Sequence, residues 1–182
     1  GDTDIRAEYA VEDEPLGTAG AGKAAVGGYD GDIVVCSADT LSDLDIGELI
    51  GAHLRGGAMV TMETTEVNDL GAYGEVITDG GIVREVREKL PDNSGRRGIA
   101  NAGTYVLSPR ALGYVPAGVP FDFARDLFPY LLRLARRICS VRSPGYWRAL
   151  RNALDSYSAN FSLRRCSPFP HATHTFHPRP LS

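Results

Sequence analysis

The stretch IVVCSADTLSDLD, Ile33–Asp45, carries the strongest structural signal in the chain. It begins with four apolar residues that small residues follow, a pattern typical of a short strand buried on both faces. Asp45 and Glu48 have the spacing of a capping box, which predicts that a helix begins directly after the stretch. Asp39 therefore lies where a buried strand turns towards a helix, and ligands bind at that end of a strand in open α/β sheets.

Two interpretations of Asp39 remain open on this spacing alone. A carboxylate between small neighbours at a strand end suits a metal ion that carries phosphate groups. Aspartate is also common in turns, where its side chain bonds to nearby backbone N–H groups. Choosing between the two interpretations requires the surrounding motifs.

The composition indicates one globular domain. The chain has 182 residues, of which 43% are hydrophobic and 23% are charged, enough for a sizeable core. No apolar run approaches the length of a membrane span, so we expect no membrane partner. The cysteines, Cys36, Cys139 and Cys166, match neither a disulfide framework nor a zinc site, which favours a reducing, cytoplasmic setting.

The net charge of −4 is unevenly distributed. Residues 1–100 hold 20 acidic and 8 basic side chains, whereas residues 101–182 hold 3 and 11. Such asymmetry sometimes marks a nucleic-acid-binding tail. These arginines are scattered and form no recognised motif with aromatic residues, so we expect no nucleic-acid partner.

Apolar periodicity predicts alternating strands and helices. The predicted strands are Ile5–Val11, Ile33–Cys36, Ala58–Thr65, Ala102–Ser108 and Ile138–Arg142, with a hairpin of Glu75–Thr78 and Ile82–Lys89. The predicted helices follow Leu16–Lys23 and Asp45, cover Phe121–Arg137 with a division at Pro129, and cover Leu150–Tyr157. His53 lies on the apolar face of the second helix and is interpreted as a packed residue. We expect a domain over residues 1–158 and a flexible tail over residues 159–182.

Several short motifs are candidates for chemistry. Leu16–Lys23, LGTAGAGK, is rich in small residues that let backbone N–H groups approach an anion. It is nearly a P-loop, but Ala24 replaces the Ser or Thr that holds Mg²⁺ there. Glu88-Lys89 combines an acceptor for sugar hydroxyls with a cation for phosphate, although two charged residues also suit a solvated strand end. Asn101-Ala102-Gly103 offers a short amide at the start of a strand, although Asn is also an ordinary turn residue.

In their order along the chain, these motifs resemble the sugar-phosphate nucleotidyltransferases, and most closely the mannose-1-phosphate guanylyltransferase branch. The residues that carry the resemblance are EPLGTAGAGK (Glu14–Lys23), IVVCSADTLSDLD (Ile33–Asp45), AYGEV (Ala72–Val76), VREK (Val86–Lys89), ANAGTYVL (Ala100–Leu107), PFDFARDLFPYLL (Pro120–Leu132) and GYW (Gly145–Trp147). The resemblance implies a Rossmann-like nucleotidyltransferase fold: an α/β fold with a mixed, mostly parallel sheet and helices on both faces, here without its N-terminal part.

The resemblance also implies a reaction and a site. A sugar 1-phosphate, mannose 1-phosphate being favoured, would attack the α-phosphorus of a nucleoside triphosphate, GTP being favoured, and expel pyrophosphate. The implied residues are Leu16, Gly17, Thr18 and Ala38 for the nucleotide, Asp39 for the catalytic Mg²⁺, and Gly74, Glu88, Asn101 and the catalytic Lys89 for the sugar phosphate.

Three departures from the family pattern lead us to expect impaired catalysis. The GxGTRL phosphate loop and the Lys-Pro segment after it do not occur. The Asp expected two residues after Trp147 is Ala149, and Leu90 is inserted between Lys89 and Pro91. One carboxylate without a partner holds Mg²⁺ poorly.

Other arrangements and functions remain open. A homo-oligomer, or a partner segment that supplies the missing N-terminal part, would cover core surface that is otherwise exposed. The alternative functions are a non-catalytic relative that binds sugar nucleotides and, as a weaker alternative, a P-loop NTPase.

Overall fold

The computed structural model describes residues 7–88, 92 and 94–165, with side chains described as far as residue 162. In chain order the elements are α1 (Gly17–Val26), β1 (Ile33–Cys36), β2 (Thr40–Ser42), α2 (Ile46–Gly56), β3 (Val60–Val67), a 3₁₀ turn (Leu70–Ala72), β4 (Glu75–Asp79), β5 (Ile82–Arg87), β6 (Gly98–Leu107), α3 (Pro109–Leu112), a π-helical turn (Phe123–Leu127), α4 (Phe128–Arg133), β7 (Ile138–Arg142), β8 (Trp147–Ala149) and α5 (Ala153–Arg165).

A six-stranded mixed sheet with the strand order β1-β6-β3-β7-β5-β4 organises the fold. Helix α2 packs against β3, β6 and β7, and α4 packs against β5. The α/β class and the mixed sheet are confirmed. The expected parallel majority is wrong for the described strands, because β3–β7 is parallel and the other neighbouring pairs are antiparallel. The α2 crossover does make β1 and β3 run in the same direction, but the antiparallel strand β6 lies between them.

Strand β1 is less buried than its sequence predicts. Among the described strands it pairs with β6 alone, so it lies at an edge of the sheet. Ile33 and Val35 are half-buried against the core. Val34 is 38% exposed, and Cys36 is also exposed. The prediction of a strand buried on both faces is therefore wrong, because the face that carries Val34 and Cys36 is exposed.

The core lies between the sheet and the segment 121–134. Val60 and Met62 of β3 are fully buried in this core, where they join Phe128, Leu127 and Leu131. The predicted helix over 121–137 is divided as expected: a π-helical turn ends at Leu127 and α4 begins at Phe128, directly before Pro129. The other face of the sheet is covered by α2, whose buried residues are Leu49 and His53. This arrangement confirms the expectation of helices on both faces.

The local signals around α2 and the hairpin are confirmed. Asp45 Oδ1 accepts hydrogen bonds from the backbone N–H groups of Gly47 at 2.8 Å and Glu48 at 3.2 Å, as an N-cap residue does. Gly57 follows the helix with φ of 55°, in the left-handed region that ends helices. Strands β4 and β5 form the predicted antiparallel hairpin around Gly80-Gly81.

The N-terminal predictions need correction. Residues 7–12 are exposed and form no strand, so the strand predicted over Ile5–Val11 is wrong over its described part. Residues Gly17–Val26 form a helix from the first residue, where a glycine-rich loop was expected. The reason is a contact with a distant segment: the Phe121 carbonyl oxygen accepts from the N–H groups of Ala19 at 2.9 Å and Gly20 at 3.0 Å. This contact satisfies N–H groups that a helix start leaves unpaired.

The same contacts exclude the P-loop interpretation. A P-loop presents free backbone N–H groups and a lysine ammonium to phosphate. Here the Phe121 carbonyl oxygen already accepts hydrogen bonds from two of those N–H groups. The Lys23 ammonium donates a hydrogen bond to the Val115 carbonyl oxygen. The hypothesis of a P-loop NTPase is therefore wrong.

The C-terminal region contains more regular structure than expected. Strand β8 follows β7, and α5 continues past residue 158, where the expected domain ends. Residues 166–182 of the expected tail lie outside the described residues. In the described part of the chain, no helix is long and apolar enough to cross a membrane.

Burial of His53 predicts a pH dependence of stability. The His53 side chain is 4% exposed, and its Nδ1 lies 3.0 Å from Thr61 Oγ1. Burial lowers the pKa of His53, although the Asp32 carboxylate, 3.8 Å from Nε2, acts in the opposite direction. The unfolded state therefore binds the proton more readily, and stability is lost as the pH falls below about 6.5.

The measurement is urea unfolding of the wild type and of His53→Gln at about pH 7.5 and about pH 5.5. The variant keeps a polar partner for Thr61 and carries no titratable group at this position. We expect the wild type to lose more stability than the variant across this interval. Equal losses in the two proteins would contradict the assignment.

Candidate active site

Asp39 lies in a tight turn between β1 and β2. The Ser37 N–H donates to the Gly103 carbonyl oxygen at 3.1 Å, and the Thr40 N–H donates to the Ser37 carbonyl oxygen at 3.3 Å. The first bond attaches the turn to β6, and the second closes the turn on itself. The Asp39 side chain is exposed, as is Ala38 beside it. The carboxylate is therefore accessible to a ligand at the end of β1.

Strand β8 lies directly beside this turn. It pairs with β2, so Ala149 is opposite Thr40 and Trp147 is opposite Ser42. The Leu150 N–H donates to the Asp39 carbonyl oxygen at 2.6 Å. The position where the resemblance expects a second carboxylate is thus adjacent to Asp39 in space, and it carries only the methyl group of Ala149.

The Asn101-Ala102-Gly103 segment meets the same turn. The Asn101 N–H donates to the Gly74 carbonyl oxygen at 3.1 Å, and Asn101 Oδ1 accepts from the Gly103 N–H at 3.1 Å. Gly103 has φ of 89°, and a Cβ there would lie 2.9 Å from Ser37 Oγ. Only glycine suits this position without strain. Three motifs that are distant in sequence therefore form one hydrogen-bonded group.

Trp147 closes one side of this group. Its Nε1–H donates to the Ala102 carbonyl oxygen at 2.9 Å, and its ring meets Tyr73 edge-on at 5.1 Å between centroids. The Arg151 guanidinium lies over the Tyr73 ring, with its central carbon 4.9 Å from the ring centroid. Neither Tyr73 nor Arg151 was a candidate from the sequence: Tyr73 lies in the AYGEV motif, whose implied site residue is Gly74, and Arg151 matches no local motif.

Tyr105 lies beneath the site and was also missed. Its ring packs against Phe123 and Phe128. Burial raises the pKa of Tyr105 well above its usual range, and the charges of Asp122 and Glu88 add to that effect. A hydrogen bond with the Asn101 side chain acts in the opposite direction without reversing it. The phenol therefore stays neutral and supports Asn101 from below.

The residues expected to bind the nucleotide form a separate group. Thr18 Oγ1 donates to Asp122 Oδ2 at 2.7 Å and accepts from the Phe123 N–H at 3.0 Å. Gly17 has φ of 69° and packs against the Phe121 backbone, and Leu16 accepts from the Phe121 N–H at 2.8 Å. Among the described residues, no hydrogen bond or ion pair joins this segment to the Asp39 turn.

The expected sugar-phosphate pair Glu88-Lys89 is described only in part. Glu88 is exposed and follows β5. Its charge acts on Tyr105 and also raises the pKa of Arg125, although Asp126 is the main cause of that shift. Lys89 lies outside the described residues.

The donor set does not fit a resident Mg²⁺ ion. Asp39 is the carboxylate in the turn, and its partner position is Ala149. Glu63 is fully buried: its Oε1 accepts from Ser42 Oγ at 2.7 Å, and its Oε2 has no hydrogen-bond partner. No group of three or more His, Cys, Asp or Glu side chains in the described part of the chain is arranged to hold a metal ion. Magnesium prefers six oxygen ligands, so Asp39 alone holds it weakly.

A large cleft in the described part of the chain lies elsewhere. It has a volume of about 720 Å³ and is lined by residues that include Asp32, His53, Ser108 and Arg110. Asp32 precedes β1 and Ser108 follows β6, so this cleft is at the opposite end of these strands from Asp39. None of the expected site residues lines it. The candidate site is therefore identified by side-chain and backbone contacts, and cleft size gives no support to it.

The known proteins that this chain resembles are nucleotidyltransferases. A family model described as Nucleotidyl transferase matches residues 1–161. UTP–glucose-1-phosphate uridylyltransferase from Synechocystis is 29% identical over 148 residues, which are 74% of this chain and 38% of that protein. Mannose-1-phosphate guanylyltransferase from Mycobacterium tuberculosis is 31% identical over 170 residues, 91% of this chain and 47% of that protein. The chain thus spans less than half the length of these relatives.

A solved structure supports the same relationship. The crystal structure of HddC from Yersinia pseudotuberculosis complexed with GMP-PN has a TM-score of 0.71 and 27% identity, and the match covers 86% of this chain and 66% of that one. The family model covers most of the chain, and the fold agrees with it. The chain belongs to the nucleotidyl transferase family, a family of transferase enzymes.

Proposed function

We propose that this protein binds a sugar 1-phosphate at the Asp39 turn and takes part in nucleotidyl transfer to it. The observation that supports this function best is the group formed by Ser37, Gly74, Asn101, Gly103 and Trp147, in which hydrogen bonds link β6 to β8 and to the turns at Ser37 and Gly74. The group leaves the Asp39 carboxylate exposed beside it. A fixed polar group of this kind is how a rigid scaffold orients a small polar substrate.

The residues have distinct roles in this proposal. Asn101 and the turn at Gly74 contact the sugar hydroxyls, and Glu88 accepts from them at the edge of the site. Lys89 meets the phosphate. A phosphate oxygen of the sugar 1-phosphate attacks the α-phosphorus of the nucleoside triphosphate, the bond to the β-phosphate oxygen breaks, and pyrophosphate leaves. Such chemistry needs positioning and charge neutralisation and no protein nucleophile.

GTP and mannose 1-phosphate are the favoured substrates in this proposal. The support is the guanylyltransferase name of several relatives; the uridylyltransferase name of another makes UTP and glucose 1-phosphate the natural comparison. Leu16, Gly17, Thr18 and Ala38 would contact the nucleotide. For Thr18 this requires its backbone, since its hydroxyl bonds to Asp122. The cytoplasmic location and the homo-oligomer or partner segment stay predictions.

A second candidate is a non-catalytic relative that binds the sugar nucleotide. The methyl group of Ala149 beside Asp39 favours this candidate, because it removes the second oxygen ligand from the place where a catalytic metal would lie. Binding would survive this loss better than turnover, since sugar and phosphate contacts come from other residues.

Two assays on the same protein separate these candidates. We expect calorimetry to detect binding of GDP-mannose, and we expect slow pyrophosphate release from GTP with mannose 1-phosphate in the presence of Mg²⁺. Asp39→Asn, which keeps the size of the side chain, should reduce any turnover further. Binding without turnover would support the non-catalytic candidate, and absence of both would contradict the proposed function.

A further inference from the structure

Two arginines flank the position where the second carboxylate is missing. Arg148 and Arg151 lie on either side of Ala149 and Leu150, and Leu150 donates its N–H to the carbonyl oxygen of Asp39. Arg148 Nη1 is 4.0 Å from Asp155 Oδ1. The two arginines therefore make the surroundings of Ala149 more positively charged than those of a site with two carboxylates and no arginine.

Arg151 is held in place by an aromatic platform. Its guanidinium carbon lies 4.9 Å from the Tyr73 centroid, and Tyr73 in turn packs against Trp147. Trp147 is fixed by its bond to Ala102, and Tyr73 directly precedes Gly74. The cation is therefore positioned at the edge of the residues expected to bind the sugar phosphate. A cation over an aromatic face is stabilised without any hydrogen bond.

The hydrogen-bonding groups of Arg151 remain available. Its Nε is 3.9 Å from Asp155 Oδ2, a long ion pair, and the side chain is 46% exposed. Its charge also contributes to lowering the pKa of Asp69, although bonds from Gly71 and Gly95 are the larger causes. No hydrogen bond engages the Nη atoms among the described residues. A guanidinium above an aromatic ring can still direct two N–H groups to a bidentate contact with phosphate.

We propose that Arg151 binds the phosphate group of the sugar 1-phosphate directly and supplies positive charge close to Ala149, the position where the resemblance expects a second carboxylate. The inference rests on the proposed function, since it names a residue of the same site. It requires phosphate binding that does not depend on a divalent metal. Neither the resemblance nor any local motif assigned a role to this arginine.

The test is calorimetric binding of mannose 1-phosphate in the presence of EDTA. We expect Arg151→Gln to weaken binding on the order of tenfold, because a charged hydrogen bond to phosphate is lost. Arg151→Lys keeps the charge and should retain part of the affinity. Arg133→Gln is the matched control: Arg133 lies 5.6 Å from the Tyr130 centroid, so it is also a cation over a tyrosine, but it belongs to α4. The affinity of Arg133→Gln for mannose 1-phosphate should equal that of the wild type.

Two further ligands show which group is recognised. Mannose without phosphate should bind much more weakly than mannose 1-phosphate, and inorganic phosphate should show the same dependence on Arg151. Equal affinities of the wild type and Arg151→Gln would overturn the role of Arg151 while leaving the proposed function standing. Equal weakening by Arg133→Gln would overturn it as well, since overall charge would then be the cause. Failure of the wild type to bind mannose 1-phosphate with or without Mg²⁺ would overturn the proposed function itself.

Discussion

Replacing Phe128 with alanine is expected to lower the free energy of unfolding by about 3–5 kcal/mol, the usual cost of removing a large aromatic side chain from a core. Phe128 is fully buried. Its ring meets Tyr105 edge-on at 5.0 Å and stacks on Phe123 at 5.9 Å. The loss would also loosen the support beneath Asn101, because Tyr105 lies between the two residues.

Urea unfolding followed by circular dichroism measures this effect. Tyr130→Ala is the matched control, because Tyr130 is an aromatic residue of the same helix that is 37% exposed. We expect the control to cost clearly less, on the order of 1 kcal/mol. A loss below about 1 kcal/mol for Phe128→Ala would contradict the packing described here.

Replacing Ala149 with aspartate is expected to tighten divalent-metal binding on the order of tenfold or more, because Mg²⁺ and Mn²⁺ take oxygen ligands and charge adds to affinity. Ala149 is opposite Thr40 in the β2–β8 pair, next to Asp39. A carboxylate there would complete a two-carboxylate site. The change is conservative in backbone terms, since β8 is a short, half-buried strand.

Titration with Mn²⁺, followed by the loss of its free electron-paramagnetic signal, measures this affinity. Ala149→Asn adds a side chain of the same size without charge and should gain much less. Adding Asp39→Asn to Ala149→Asp should remove most of the gain. If Ala149→Asp binds Mn²⁺ no more tightly than the wild type, the two positions do not share a site.

Features fixed by nearby residues were predictable from the sequence. The N-cap Asp45, the terminator Gly57 and the turn at Gly80-Gly81 each act within four residues, so local pattern and turn chemistry suffice to identify them. The division of a helix near Pro129 follows from the missing N–H of proline.

Features fixed by distant residues were not predictable from the sequence. Whether β1 is central or at an edge depends on which strands lie beside it, and the insertion of β6 between β1 and β3 leaves no mark in Ile33–Cys36. The helical conformation of Gly17–Val26 likewise depends on the carbonyl group of Phe121, about a hundred residues later. Small residues alone are compatible with a loop or a helix.

The candidate site was likewise predictable only in part. The order of the motifs predicted that Asp39, Gly74 and Asn101 belong together, and the structure brings their segments into contact. The order of the motifs did not predict that Thr18 bonds to Asp122, or that Arg151 lies over Tyr73. These contacts depend on side-chain geometry across the fold, which spacing does not record.

The central claim is that the sugar-nucleotide site lies at Asp39, Asn101 and Trp147. Trp147 is the only tryptophan of the chain, so its indole N–H gives one resolved signal in a ¹⁵N-correlated NMR spectrum. Titration with GDP-mannose should move this signal and the backbone signals of Asn101 and Gly103. It should leave those of Asp32 and His53, at the other end of the sheet, unchanged. Movement confined to Asp32 and His53, or no movement at a saturating concentration, would contradict the claim.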